Sequence, residues 1–240
     1  AAKHKDDLAA VVMEPIRSIQ PQNGFLEEAR SLAEGTGAVF IFDEISAGFR
    51  MNSGGAHLLF GVAPDIAVFS KALGNGYPIA AVIGKSEIME SAQKTFISST
   101  MWTERIGPTA ALATIRKHQK VDAGSHLMAI GRKMQEGWRG LADKHGLKIE
   151  VGGIPPCSHF SFEYDNALSI KSLFIQLMLE RGFLATTLFY AMYAHNDLHV
   201  EKYLDAVNDA FAEIAEAERS GKVHTLLKGL PATAGFKRLI

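Results

Sequence analysis

Three short apolar runs in this chain each end on residues that can do chemistry. Residues 8–13 lead to Glu14, residues 38–42 to Asp43-Glu44, and residues 66–69 to Ser70-Lys71. If the runs are strands of one sheet, their polar ends meet at its carboxyl edge, where open α/β sheets bind ligands. A lysine amine and carboxylates would then share one crevice. Two uses follow from that grouping. The charges can pair and cap the sheet edge. Alternatively, the amine can serve as a nucleophile toward a carbonyl while a carboxylate stabilises positive charge nearby. Spacing alone leaves both open.

The elements between these ends support a sheet. The runs are apolar throughout, as in strands buried on both faces. Between the first two lie Phe25, Leu26, Ala29, Leu32 and Ala33 at helical spacing, closed by Gly35 and Gly37. That is a βαβ unit, so the first two strands are expected to be parallel. Residues 79–83 read as a fourth strand behind a Gly-Asn-Gly-Tyr-Pro turn, a link short enough to predict an antiparallel return. After Pro108 the pattern changes to helices over 109–118 and 122–145, strands over 148–151 and 158–164, a helix over 169–181, a strand-like stretch near 183–193, and a helix over about 197–218. This predicts a first unit over 1–122 and a smaller α+β unit over 123–240.

Composition narrows the function classes. The chain has 240 residues, 47% hydrophobic and 21% charged, with a net charge of −1. No basic run suggests nucleic acid, and no apolar run approaches the ~20 residues that span a bilayer. A lone cysteine, Cys157, expected as a small buried residue, excludes a disulfide framework within the chain and fits a reducing, cytoplasmic setting. No metal is expected: His195 and His199 are four apart but straddle a predicted helix start. Gly74-Asn75-Gly76 opens no clear helix and is not read as a dinucleotide loop. The apolar residues of 174–179 read as core. The chain starts without Met and enters a strand almost at once, so the start of the sequence is not expected to be the start of a fold.

One cofactor uses an amine and a carboxylate in this way. Pyridoxal phosphate needs a lysine to form a Schiff base, and a carboxylate to keep its pyridine nitrogen protonated so that the ring accepts electrons. Three segments carry a resemblance that agrees: Glu14-Pro15-Ile16; Asp43-Glu44-Ile45-Ser46-Ala47-Gly48-Phe49-Arg50; and Phe69-Ser70-Lys71-Ala72-Leu73-Gly74-Asn75-Gly76-Tyr77-Pro78. In this order, with 28 residues from Asp43 to Lys71, they resemble the class III pyridoxal-phosphate-dependent aminotransferases, most of all the glutamate-1-semialdehyde aminomutase branch.

The resemblance implies a pyridoxal-phosphate-dependent transferase fold of the aspartate aminotransferase type. It implies amino-group transfer or intramolecular amino migration. Lys71 would form the Schiff base and shuttle the proton, Asp43 would face the ring nitrogen, and Ile45, two residues on and so on the same side of the strand end as Asp43, would pack on the ring. Residues 99–108 resemble the segment that reaches a neighbouring subunit, with Thr103 (Thr100 as the alternate) binding the phosphate. Pro108 would open a helix whose N-terminus favours an anion. Trp102 and Arg105 could line a substrate channel or pack at the surface. This segment departs from the family, which usually has small residues and Gly-Asn before the proline. Ile19 and Ser46, where ornithine- or γ-aminobutyrate-type enzymes carry Glu and Gln, argue against those subtypes. The implied partners are a small amine or amino-acid substrate, a second copy of the chain in a homodimer or larger oligomer, and an N-terminal half not present here. A sugar or nucleotide-sugar aminotransferase and a non-catalytic assembly fragment are the alternatives.

Overall fold

The computed structural model describes residues 4, 7–97, 100, 103–233 and 235. Along the chain run β1 (Ala10–Met13), α1 (Phe25–Thr36), β2 (Val39–Asp43), β3 (Ile66–Phe69), β4 (Ala81–Gly84), α2 (Ser86–Met89), α3 (Ile106–Lys120) and α4 (Ala123–His145). Then follow β5 (Ile149–Gly152), β6 (Cys157–Phe162), α5 (Ala167–Glu180), β7 (Leu188–Tyr190), α6 (Asp197–Arg219) and α7 (Val223–Leu226). Two compact units result, Ala1–His126 and Leu127–Ile240.

The first unit is built on a four-stranded sheet in the order β1-β2-β3-β4. β1, β2 and β3 run parallel, and β4 returns antiparallel to β3, as the short link before it predicts. α1 crosses from β1 to β2 and ends at Gly37 in the left-handed conformation, while Gly35 lies inside the helix. Leu26 and Ala33 of α1 pack with Phe40, Phe42 and Val62. On another cluster, Phe49, Ala67, Phe69 and Leu73 pack with Ala111 of α3. β4 contrasts with the inner strands: successive residues Val82 and Ile83 are 53% and 56% exposed, so it presents apolar side chains to solvent on both of its sides.

Asp65, just before β3, ties the sheet together. Its carboxylate accepts from Phe40 N–H at 2.9 Å and pairs with Arg30 of α1 and Lys85 after β4, both at 2.8 Å. Burial alone would raise the Asp65 carboxyl. The hydrogen bonds from Lys85, Phe40 and Arg30, together with the Arg30 charge, outweigh burial and hold it at about 2.

The second unit carries a three-stranded antiparallel sheet, β5-β6-β7. Phe160 and Phe162 of β6 meet Phe174 of α5 and Phe211 of α6 in edge-on contacts with centroids 5.3 to 6.2 Å apart. Trp138 of α4 is fully buried in the same cluster and donates to Tyr203 Oη at 3.3 Å. Burial pushes the Tyr203 phenol up to about 12, against the lowering effect of that bond. Of the apolar residues of 174–179 expected as core, Phe174, Leu177 and Met178 are buried, whereas Leu179, next to the end of α5, is exposed. Cys157 is half-buried, not buried as expected, because it opens β6 at the sheet's end. His199 and Asn196 together form the capping box of α6. No group of three His, Cys, Asp or Glu among the described residues could hold a metal, and no helix among them is long and apolar enough to cross a membrane.

Candidate active site

Asp43 is the last residue of β2 and lies in register with Val68 of β3, three residues before Lys71. Two adjacent parallel strands therefore deliver a carboxylate and an amine to one sheet edge. Asp43 is half-buried, and its Oδ1 accepts the Ile45 N–H at 2.9 Å. Ile45 is half-buried but sits in the turn after β2, so strand alternation does not reach it. What links it to Asp43 is this backbone hydrogen bond.

Lys71 opens a short 3-10 turn, Lys71–Leu73, with φ +44°. A non-glycine residue in the left-handed region costs on the order of 1–3 kcal/mol and persists only where its surroundings enforce it. Here the Gly74 and Asn75 N–H groups both donate to the Lys71 carbonyl, at 3.2 and 3.1 Å. The Ser70 hydroxyl donates to Ile79 O at 2.8 Å. The loop folds back so tightly that a Cβ on Gly74 would lie 2.1 Å from Tyr77 O. The Lys71 side chain is exposed, and Nζ donates to Ser46 Oγ at 2.7 Å. Among the described residues Lys71 forms no ion pair, so a salt bridge capping the sheet edge is not what holds it.

The turn that presents Ser46 is fixed by close packing on β3. A Cβ on Gly48 would fall 2.7 Å from Glu44 O and 2.8 Å from the Phe69 ring, so only glycine lets the chain pass there. Phe49, at φ +57°, packs edge-on against Phe69 with centroids 5.7 Å apart. Its carbonyl accepts from Nε2 of buried His118 at 3.1 Å. A carbonyl only accepts, so Nε2 carries the proton; Ser53 Oγ lies 2.7 Å from Nδ1.

Glu44, grouped with Asp43 by sequence, goes elsewhere. It is fully buried and accepts from Ala56 N–H, His57 N–H and His57 Nδ1 at 2.9, 2.9 and 2.7 Å. A buried carboxylate needs such donors, and they leave Glu44 holding the 3-10 turn Ala56–Leu59 rather than a ligand. Glu14 pairs with Arg17 at 3.2 Å, and its buried Oε2 has no hydrogen-bond partner among the described residues. Of the three polar strand ends, the structure thus joins those of β2 and β3.

Thr103 is exposed in the segment before α3. Pro108 is the third residue of α3, not the first, still within the turn whose N–H groups have no helical acceptor. The expected anion at this helix start is the chain's own: the Glu104 carboxylate accepts from Ile106 N–H and from Gly107 N–H, the latter at 3.0 Å. An outside anion therefore cannot take those two amides while Glu104 holds them. Arg105 precedes the helix, its carbonyl accepting from Thr109. Trp102 lies outside the described residues. Sequence reasoning missed the Lys71 contact of Ser46 and the capping role of Glu104. A serine three residues after Asp43 was the only signal for the first, and an acid two residues before a helix for the second.

Comparison with known proteins identifies the family. Residues 1–213 match the Aminotransferase class-III family. The chain is 34% identical over 223 residues to a 3-aminobutyryl-CoA aminotransferase of Cloacimonas acidaminovorans, covering 88% of this chain and 54% of that protein. It is 32% identical over 237 residues to a glutamate-1-semialdehyde 2,1-aminomutase of Ignicoccus hospitalis, covering 90% and 56%. The FumI protein of Sphingopyxis sp. MTA144, solved in its PLP internal aldimine form, superposes with a TM-score of 0.86 at 25% identity, over 94% of this chain and 57% of that one. An omega-transaminase from Sphaerobacter thermophilus shares the fold, with a TM-score of 0.78 at 23% identity, over 90% of this chain and 54% of that one. The chain spans little more than half the length of these relatives. It has the pyridoxal-phosphate-dependent transaminase fold and belongs to the class-III aminotransferase family.

Proposed function

We propose that this chain is the lysine-bearing part of a pyridoxal-phosphate-dependent enzyme that transfers or migrates an amino group on a small amine or amino acid. The observation that carries the reading is the pairing of strand ends: an exposed lysine amine after β3 and a half-buried carboxylate closing β2, in adjacent parallel strands. Bound there, pyridoxal phosphate supplies an aldehyde and a ring that accepts electrons from the substrate carbon. The residues present fit it: the amine is accessible and forms no ion pair among the described residues, and the carboxylate closes the adjacent strand.

In this reading Lys71 attaches the cofactor through its ε-amine and carries the proton between substrate and cofactor carbons. Asp43 holds a proton on the ring nitrogen by its negative charge. Ile45, drawn to Asp43 by its N–H, offers an apolar surface to the ring. Thr103 contributes its hydroxyl to a phosphate bound by a second copy of the chain. The α3 amides take no part while Glu104 holds them. A longer protein with further strands, assembled at least as a dimer, is supported by the uncovered residues of β4 and by the relatives' greater length. The single half-buried cysteine fits a cytoplasmic setting.

The test uses the full-length protein. Added pyridoxal phosphate should give a near-visible absorption band, and Lys71→Ala should abolish both that band and transamination. A Lys71→Ala variant that keeps either would refute the assignment.

A further inference from the structure

Ser46 has no part in the function just proposed, yet its hydroxyl is the group that Lys71 touches, 25 residues away in sequence. The backbone of Lys71 is fixed by its left-handed turn. Its side chain is not: the residue is exposed, with four rotatable bonds that solvent leaves free. The Ser46 turn, by contrast, is anchored on β3 through Gly48 and the Phe49–Phe69 contact. A fixed hydroxyl thus faces a flexible amine.

We propose that Ser46 is a positioning residue for Lys71. It holds the free ε-amine against the turn that begins at Asp43, so that an aldehyde entering the site meets the amine beside the carboxylate. A hydroxyl suits this task better than an acid or an apolar group. It accepts from an ammonium and donates to a neutral amine, so the contact survives the loss of the proton that nucleophilic attack requires. A carboxylate in its place would hold the amine charged, and an apolar side chain would release it. This inference rests on Lys71 being the attachment lysine.

Two readouts on the full-length protein, stripped of cofactor, test it. The first is trace acetylation with acetic anhydride followed by peptide mapping, with exposed Lys94 as the internal reference. An amine tied to Ser46 meets the reagent in fewer orientations. Ser46→Ala should therefore raise the Lys71 rate relative to Lys94 by about fivefold, the worth of one ordinary hydrogen bond, and Ser46→Thr should leave it near the parent. The second is the rate at which the near-visible band grows when pyridoxal phosphate is added. It should fall by about fivefold in Ser46→Ala and recover in Ser46→Thr. If Lys71 captures pyridoxal phosphate but neither rate moves in Ser46→Ala, or if Ser46→Thr behaves like Ser46→Ala, the positioning role is wrong and the attachment lysine stands. If pyridoxal phosphate is captured by another lysine, the proposed function fails and the role of Ser46 with it.

Discussion

Replacing Asp65 by Asn keeps the side chain's shape and an oxygen for Phe40 N–H, but removes the charge that Arg30 and Lys85 share. The carboxyl sits at about 2 in the folded protein against an ordinary 3.8. A depressed carboxyl adds stability that is present above the ordinary value and is lost as pH falls through the folded value. By linkage, the difference is worth about 2.4 kcal/mol at pH 7 and about 1.3 kcal/mol at pH 3. The Lys85 side chain is 43% exposed, so solvent screens part of its share, and about 2 kcal/mol at pH 7 is the expected cost of Asp65→Asn. Urea unfolding of the full-length parent and variant, at both pH values, reads it. The gap should shrink by about half at pH 3. A gap under about 0.5 kcal/mol at pH 7, or one that does not change with pH, would show that Asp65 is not the charged anchor described here.

Other outcomes follow from the site itself. Asp43→Ala should lower kcat far more than it lowers stability. A rate within about threefold of the parent, worth under about 0.7 kcal/mol, would remove Asp43 as the partner of the ring nitrogen. Gly48→Ala should push the Ser46 turn off Phe69 and weaken the near-visible band of added pyridoxal phosphate; a band of parental strength and growth rate would show that the close approach is not needed. Glu104→Ala should cost about 1 kcal/mol as a lost helix cap. An unchanged melting temperature would mean that the carboxylate does not hold the α3 amides in solution.

The sheet was legible because its causes are local. Apolar runs of four to six residues, a helix ended by Gly37 and a short return before β4 each act within a few residues of sequence. The lysine and the aspartate could be picked out because strand ends place them at one edge whatever the turns do. The rest depends on what the turns do. Ser46 meets Lys71 only because Phe49 and Lys71 both adopt left-handed backbone and Gly48 admits Phe69, none of which periodicity encodes. Glu44 and Asp43 are adjacent in sequence but part company where β2 ends, one turning inward to His57 and the other staying at the edge. Asp65 reads as an ordinary acid after Pro64 until Arg30 and Lys85, 35 and 20 residues away, are folded onto it. At α3 the general preference of a helix start for an anion was right in kind, but Glu104 was near enough to satisfy it from within the chain.

The central claim is that Lys71 is the residue that binds pyridoxal phosphate covalently. Full-length protein incubated with pyridoxal phosphate, reduced with borohydride and digested will carry the cofactor's mass on one peptide. The account predicts that this peptide contains Lys71 and that the modification maps to its ε-amine. A label on any other lysine, or no label on a folded protein, would contradict it.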